Sequence, residues 1–346
     1  MLETALHTHL AARGATHADD RGVVLPRHFG DAAAEYRALR EGVALIDLGF
    51  RTVVRASGAD RATFLQGMLS NDVAALRPGE GCPALLLTIQ GRVVADVRVA
   101  ATDETLLLDV DVRVRDALVE ALERLIVADE VELRPPEPPV ALVGLEGPGA
   151  ERLLGQGLGP YAHRETEVAG VPVHVMRASE VGGPGFVFHV GAERAPALWD
   201  ALVARGARPC GMQALEGRRV EVGVPRIGLD MDLTTLALEV PVEEALSATK
   251  GCYLGQEVVA RGTARGHVNR KLVGLLIEGP VPPAEAPLVQ DGKDVGRLTT
   301  VAYSFGLDAP AALGFVRREH WDPGTALRVQ HGHAVTLARV AVLPLA

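Results

Sequence analysis

Beyond Leu272 the chain reads as a series of short apolar runs. They lie at Leu272–Ile277, Leu288–Gln290, Asp294–Thr300, Ala311–Val316, Ala326–Val329 and Ala334–Val342. Asp291-Gly292, Asp322-Pro323-Gly324 and His331-Gly332-His333 separate several of them with turn residues. Regular short strands with such turns predict a small antiparallel barrel at the C-terminus.

The pattern upstream is different. Ala32–Leu39 has helical spacing, and Gly42 closes it. Val43–Asp47 and Arg51–Ala56 read as strands, and Gly58-Ala59-Asp60 opens a helix that runs to Leu69. Ala84–Ile89 and Arg92–Ala100 form a hairpin around Gln90-Gly91. Leu106–Val110, a helix from Val114 to Ile126 and a strand at Val131–Leu133 complete the unit. The stiff connector Pro135–Pro139 leads into a second unit, with strands at Val140–Leu145, Val171–Arg177 and Phe186–Val190 and helices at 195–205 and 214–223. Strand pairs followed by helices predict an α+β body with ferredoxin-like antiparallel sheets. The expected divisions are an N-terminal extension at 1–27, the body at 28–264 and the barrel at 265–346.

With 346 residues, 48% apolar and 4% aromatic, the core must be filled by aliphatic side chains. No run of 18 apolar residues is present, so no membrane span is expected. Met1-Leu2-Glu3-Thr4 lacks the basic and apolar regions of a signal peptide. Cys82, Cys210 and Cys252 are scattered, which points to a reducing, cytoplasmic setting and away from a disulfide frame. His7, His9 and His17 lack a further ligand nearby, and His331 and His333 flank a hairpin glycine, so no metal site is expected. A net charge of −9 argues against non-specific nucleic-acid binding.

The most chemically dense stretch is Lys250-Gly251-Cys252-Tyr253-Leu254-Gly255-Gln256-Glu257. Its two glycines imply a sharp turn or a close backbone approach. Lys250 stands two residues before the Cys252 thiol, and a nearby cation favours a thiolate. From Lys250 to Lys271 five cations (Lys250, Arg261, Arg265, Arg270 and Lys271) oppose one acid, Glu257. On an acidic chain this stretch is a candidate anion-docking site, and a solvated loop is the plain alternative.

The octapeptide resembles the signature of the YgfZ-type folate-binding proteins, relatives of the aminomethyltransferase (T-protein) of the glycine cleavage system. Arg265-Gly266-His267-Val268-Asn269-Arg270 continues the likeness, as do Phe64–Val73, the Arg219-x-Glu221 helix end and Pro225-Arg226-Ile227-Gly228-Leu229-Asp230. The resemblance covers residues 28–346. It implies a folate-binding body around a central opening, capped by a barrel, with tetrahydrofolate or a derivative as ligand. The cofactor-binding positions carried over are Asn71, Asp96, Arg219, Lys250, Tyr253, Gln256, Glu257, Arg265 and Arg270, and Cys252 is the reactive residue. Asn71 also reads as a polar helix end, and Cys252 as a packed thiol.

Two functions compete. The resemblance implies an auxiliary protein of iron–sulphur cluster assembly or repair, partnered by folate and iron–sulphur enzymes or assembly factors. The other reading is a folate-dependent aminomethyltransferase or demethylase. That chemistry needs a carboxylate beside the folate nitrogen. Aligning the T-protein segment G-G-x-x-D-D on Gly91 puts Ala95 at the first aspartate and Asp96 at the second. The T-protein glutamate on the pterin side aligns with Gly183. On this alignment aminomethyltransferase turnover is not expected.

Overall fold

The computed structural model describes residues 1–346 except Gln156, Arg265, Gly266, Gly332 and His333. Two sheets form the body. One has five strands in the order Gly81–Leu87, Val93–Ala101, Leu106–Asp111, Arg51–Ser57 and Glu132–Arg134. The other has six, in the order His163–Val168, Val171–Met176, Gly185–Gly191, Val140–Glu146, Ala44–Asp47 and Arg208–Cys210. Both are antiparallel except that 208–210 runs parallel to 44–47. Each sheet buries one face under helices. Leu65, Leu118 and Leu122 cover the five-stranded sheet, while Leu198, Trp199 and Leu202 cover the other.

The C-terminal strands close into a six-stranded barrel, with Arg270–Glu278 joined to both Ala309–Arg317 and Ala334–Ala341. The mixed α+β body and antiparallel barrel agree with the sequence expectation. The N-terminal extension carries the short helix His7–Ala11 but is not helical throughout. Leu2–Glu3, Thr16–Asp20 and Val23–His28 form a small sheet, and Leu6 and Leu10 are fully buried.

The barrel is tied to the body by a buried charge network. The Arg219 guanidinium donates to Asp230 at 2.6 Å, to Glu216 at 2.7 Å and to the Thr300 hydroxyl at 2.9 Å. Burial opposes its charge, but Glu216 and Asp230 hold it charged, above the usual range. Thr299 of the barrel donates to Asp230 in turn, at 2.5 Å. Buried ions of this kind persist only when paired and hydrogen-bonded on all sides.

Candidate functional site

A cavity of about 410 Å³ opens where the two sheets meet the segment 222–245. Its walls come from Pro83–Leu85 and Asp96–Arg98 of the five-stranded sheet, Tyr161 and Ser179 beside the six-stranded sheet, and Glu243–Ala245. A smaller space of about 50 Å³ shares Asp96 and Arg98 with it and reaches Arg51, Glu180 and Arg226.

Asp96 is the chemically distinctive group in this wall. Its Oδ1 is buried with no hydrogen-bond partner among the described residues. Its Oδ2 lies 4.0 Å from the Arg51 guanidinium. Burial pushes the Asp96 carboxyl above its ordinary range, while Arg51 and Arg98 pull the other way. Both arginines are held from behind. Asp109 accepts from Arg51 at 2.6 Å and from Arg98 at 3.4 Å, and Glu180 pairs with Arg98 at 2.7 Å. Burial raises the Asp109 pKa, but the two cations win and leave it below the usual carboxylate range. The result is an acid that is positioned and unsatisfied, which is what a group awaiting a ligand requires.

The register decides which residue of the Ala95-Asp96 pair reaches the cavity. Leu86 opposes Ala95, but Leu87 opposes Val93, so Val94 is an extra residue in the strand. Val94 and Ala95 both pack into the core under Leu65 and Leu118, and Ala95 is fully buried there. Val93 and Asp96 face the other way. An acid at 95 would point into apolar side chains, so the alanine at that position does not remove a carboxylate from the cavity. Gly183 is exposed, and a side chain there would meet open space.

The octapeptide plays a different part. The Lys250 ammonium donates to the carbonyls of Gln66 and Leu69 at 2.5 Å and of Asn71 at 2.9 Å, and it lies 5.1 Å from the Tyr253 ring centre. These are end carbonyls of the helix Arg61–Met68 and its exit, left without partners by the helix. Burial lowers the Lys250 pKa to about 8, with Asp72 acting in the opposite sense. Tyr253 is buried in the core shared with Leu272 and Phe315. Gly255 sits at φ +82°, where a Cβ would fall 2.5 Å from the Thr88 carbonyl oxygen. The second glycine of the motif departs from expectation, because around Gly251 the space is open. Cys252 is exposed. Its neighbour's ammonium is engaged with three carbonyls, so the expected pairing of lysine with thiol is not what this loop is built around.

The other expected residues divide similarly. Asn71 donates to the carbonyls of Pro83 at 2.7 Å and Glu244 at 2.9 Å, holding two walls of the cavity together. Gln256 and Glu257 begin the helix Gln256–Ala264, where Glu257 pairs with Arg261 in solvent. Arg270 pairs with Glu239 at 3.0 Å and stacks 4.5 Å from the Phe315 ring centre. Arg265 lies outside the described residues. The stretch 250–271 therefore does not gather its described cations into one patch, since three of the four have separate local partners. Sequence reading missed Arg51, Arg98, Asp109 and Glu180. The available signal was charge inside otherwise apolar strands, as in Arg51-Thr52-Val53-Val54 and Leu106-Leu107-Leu108-Asp109.

Fold and site together define a two-sheet body with a barrel and an unsatisfied carboxyl in a central cavity. The GCVT N-terminal domain matches residues 6–250, and the glycine cleavage T-protein C-terminal barrel domain matches residues 270–346. The chain belongs to this glycine cleavage T-protein family. It is 30% identical to an aminomethyltransferase of Saccharopolyspora erythraea over 356 residues, covering 98% of this chain and 97% of that one. It is 29% identical over 300 residues to a putative chloroplastic transferase of Arabidopsis thaliana, covering 84% and 69% of the two chains. The crystal structure of the glycine cleavage system aminomethyltransferase T from Bartonella henselae shares the fold, with a TM-score of 0.90, 21% identity and coverage of 99% and 98%. Among the described residues no cluster of histidine, cysteine or carboxylate side chains is arranged to hold a metal, and no helix is long and apolar enough to cross a membrane.

Proposed function

We propose that the chain binds tetrahydrofolate, or a derivative, in the cavity at Asp96 and acts there as a folate-dependent one-carbon transferase. The observation that carries this reading is the Asp96 carboxyl, whose Oδ1 has no hydrogen-bond partner among the described residues and whose Oδ2 lies 4.0 Å from Arg51. Moving the carbon of an aminomethyl thioether to folate forms two bonds to folate nitrogens and breaks its C–N and C–S bonds, the two folate N–H protons ending on the released ammonia and the donor thiol; positive charge develops at the carbon on the way. A carboxyl with a raised pKa suits both the charge and the proton transfer, stabilising the cation when ionised and donating when protonated. The relatives named aminomethyltransferase support the same class of chemistry.

A second reading rests on the exposed Cys252. A thiol carried on a braced loop fits the YgfZ-type role in iron–sulphur assembly, with iron–sulphur enzymes as partners. The two readings separate in one assay. Ammonia release from an aminomethyl donor in the presence of tetrahydrofolate, lost in Asp96→Asn and kept in Cys252→Ser, is the expected result. Tight folate binding without turnover, together with loss of iron–sulphur enzyme activity in Cys252→Ser, overturns the transferase reading in favour of the second.

A further inference from the structure

Three histidines on neighbouring strands of the six-stranded sheet form a continuous chain of rings. His174 Nε2 lies 2.7 Å from His163 Nδ1, and His174 Nδ1 lies 3.2 Å from His189 Nδ1. The ring centres are 4.7 and 5.0 Å apart. His163 Nε2 lies 3.2 Å from the Glu80 carbonyl oxygen, in the turn that leads into the five-stranded sheet. At the other end His189 Nε2 is buried with no partner among the described residues. Asp109, Arg98 and Arg51 of the five-stranded sheet are the charges that act on His189, together with His163. The chain thus lies along the seam between the two sheets, beside the charges that brace Asp96.

The protons in this chain are determined by its ends. A carbonyl only accepts, so His163 Nε2 carries hydrogen. In a neutral ring His163 Nδ1 is then bare, and His174 Nε2 must donate to it. His174 Nδ1 is bare in turn, and His189 Nδ1 must donate. That leaves His189 Nε2 as a bare, buried lone pair. One added proton fits only if His189 Nε2 ends up carrying hydrogen, whichever ring holds the charge. A second added proton sets two N–H groups head to head and breaks a ring-to-ring bond.

We propose that the His163–His174–His189 chain is an acid-sensitive latch across three neighbouring strands of the six-stranded sheet, closed when neutral, holding one proton intact and opening on the second. Burial supports the neutral state, lowering His163 and bringing His174 to about 3 and His189 to about 4 from an ordinary 6.5. Asp109 works against burial at His189, while Arg98 and Arg51 add to it. The sign follows from the depressed values. The latch's contribution is complete above pH 6.5 and is lost as pH falls toward 4 and 3.

The test uses the full chain without ligand. Imidazole nitrogen shifts at pH 7.5 should show His189 protonated on Nδ1 and His163 and His174 on Nε2, with all three still neutral at pH 6. Urea unfolding measured from pH 7.5 to 4.5 should show wild type taking up about two more protons on unfolding near pH 5 than His174→Gln or His189→Gln. An Nε2–H tautomer at His189, ordinary titration of the three rings, or an unchanged pH slope in both variants overturns the latch. If the variants do not fold, the wild-type nitrogen shifts decide it. Failure of folate binding leaves this result untouched.

Discussion

The loop Lys250–Glu257 and the strand around Asp96 both carry charge where the chain is otherwise apolar, but they use it in opposite ways. At Lys250 every hydrogen of the ammonium has a carbonyl to meet. At Asp96 one carboxyl oxygen has no hydrogen-bond partner among the described residues. The first arrangement closes a helix end and stabilises the fold. The second leaves a partly exposed acid beside a cavity with hydrogen-bonding capacity unmet on Oδ1, which costs stability. A dense polar motif thus need not be where a ligand sits. The unmet hydrogen-bonding capacity of a buried group is the more telling sign.

The largest effect expected from this contrast is at Lys250. Lys250→Met takes the ammonium donor from the buried carbonyl of Leu69 and the part-buried carbonyls of Gln66 and Asn71, and chemical denaturation should show a loss of about 3 kcal/mol. A loss below about 1 kcal/mol would mean the ammonium is not a structural clamp. Next is the pair of glycines. Gly255→Ala meets both a positive φ and the Thr88 carbonyl and should cost about 2 kcal/mol, whereas Gly251→Ala should lie within about 0.5 kcal/mol of wild type. Equal effects at the two positions would contradict the packing of this loop on the Thr88–Arg92 turn.

Asp96→Asn should leave the melting temperature level or slightly higher, since it removes a carboxyl whose buried Oδ1 lacks a hydrogen-bond partner among the described residues. The folded pKa of Asp96 is raised, so its acidic form persists above the usual carboxylate range, and the pH profile of turnover should carry a limb there. Loss of that limb in Asp96→Asn is the check. The smallest effect on stability belongs to Cys252→Ser, within about 0.5 kcal/mol of wild type. Limiting iodoacetamide should still label Cys252 before the other two thiols. Burial raises the Cys82 pKa to about 12, and Cys210 is buried with its pKa raised for the same reason.

Much of the fold was legible because its signals are local. The barrel strands are marked by turn residues, and the helix Arg115–Glu123 by Leu118 and Leu122 on one face. The strands Thr16–Asp20 and His163–Val168 were missed because THADD and HRETEV are polar pieces whose pairing is supplied by distant partners or by the hairpin itself. Pro26 similarly masked Val23–His28. In the site, Asp96 was legible from the likeness to the T-protein segment. Its braces were not, since Arg51, Arg98 and Asp109 come from three strands that meet only once the sheet forms. The face taken by Ala95 depended on the extra residue at Val94, and a bulge leaves no mark in an apolar run.

The measurement closest to the central claim is calorimetric titration of tetrahydrofolate into wild type, Asp96→Asn and Cys252→Ser under one set of conditions. The cavity account predicts that Asp96→Asn loses at least about tenfold in affinity, or ~1.4 kcal/mol, while Cys252→Ser binds as wild type does. Full affinity in Asp96→Asn with a loss in Cys252→Ser would place the ligand at the octapeptide and contradict the account.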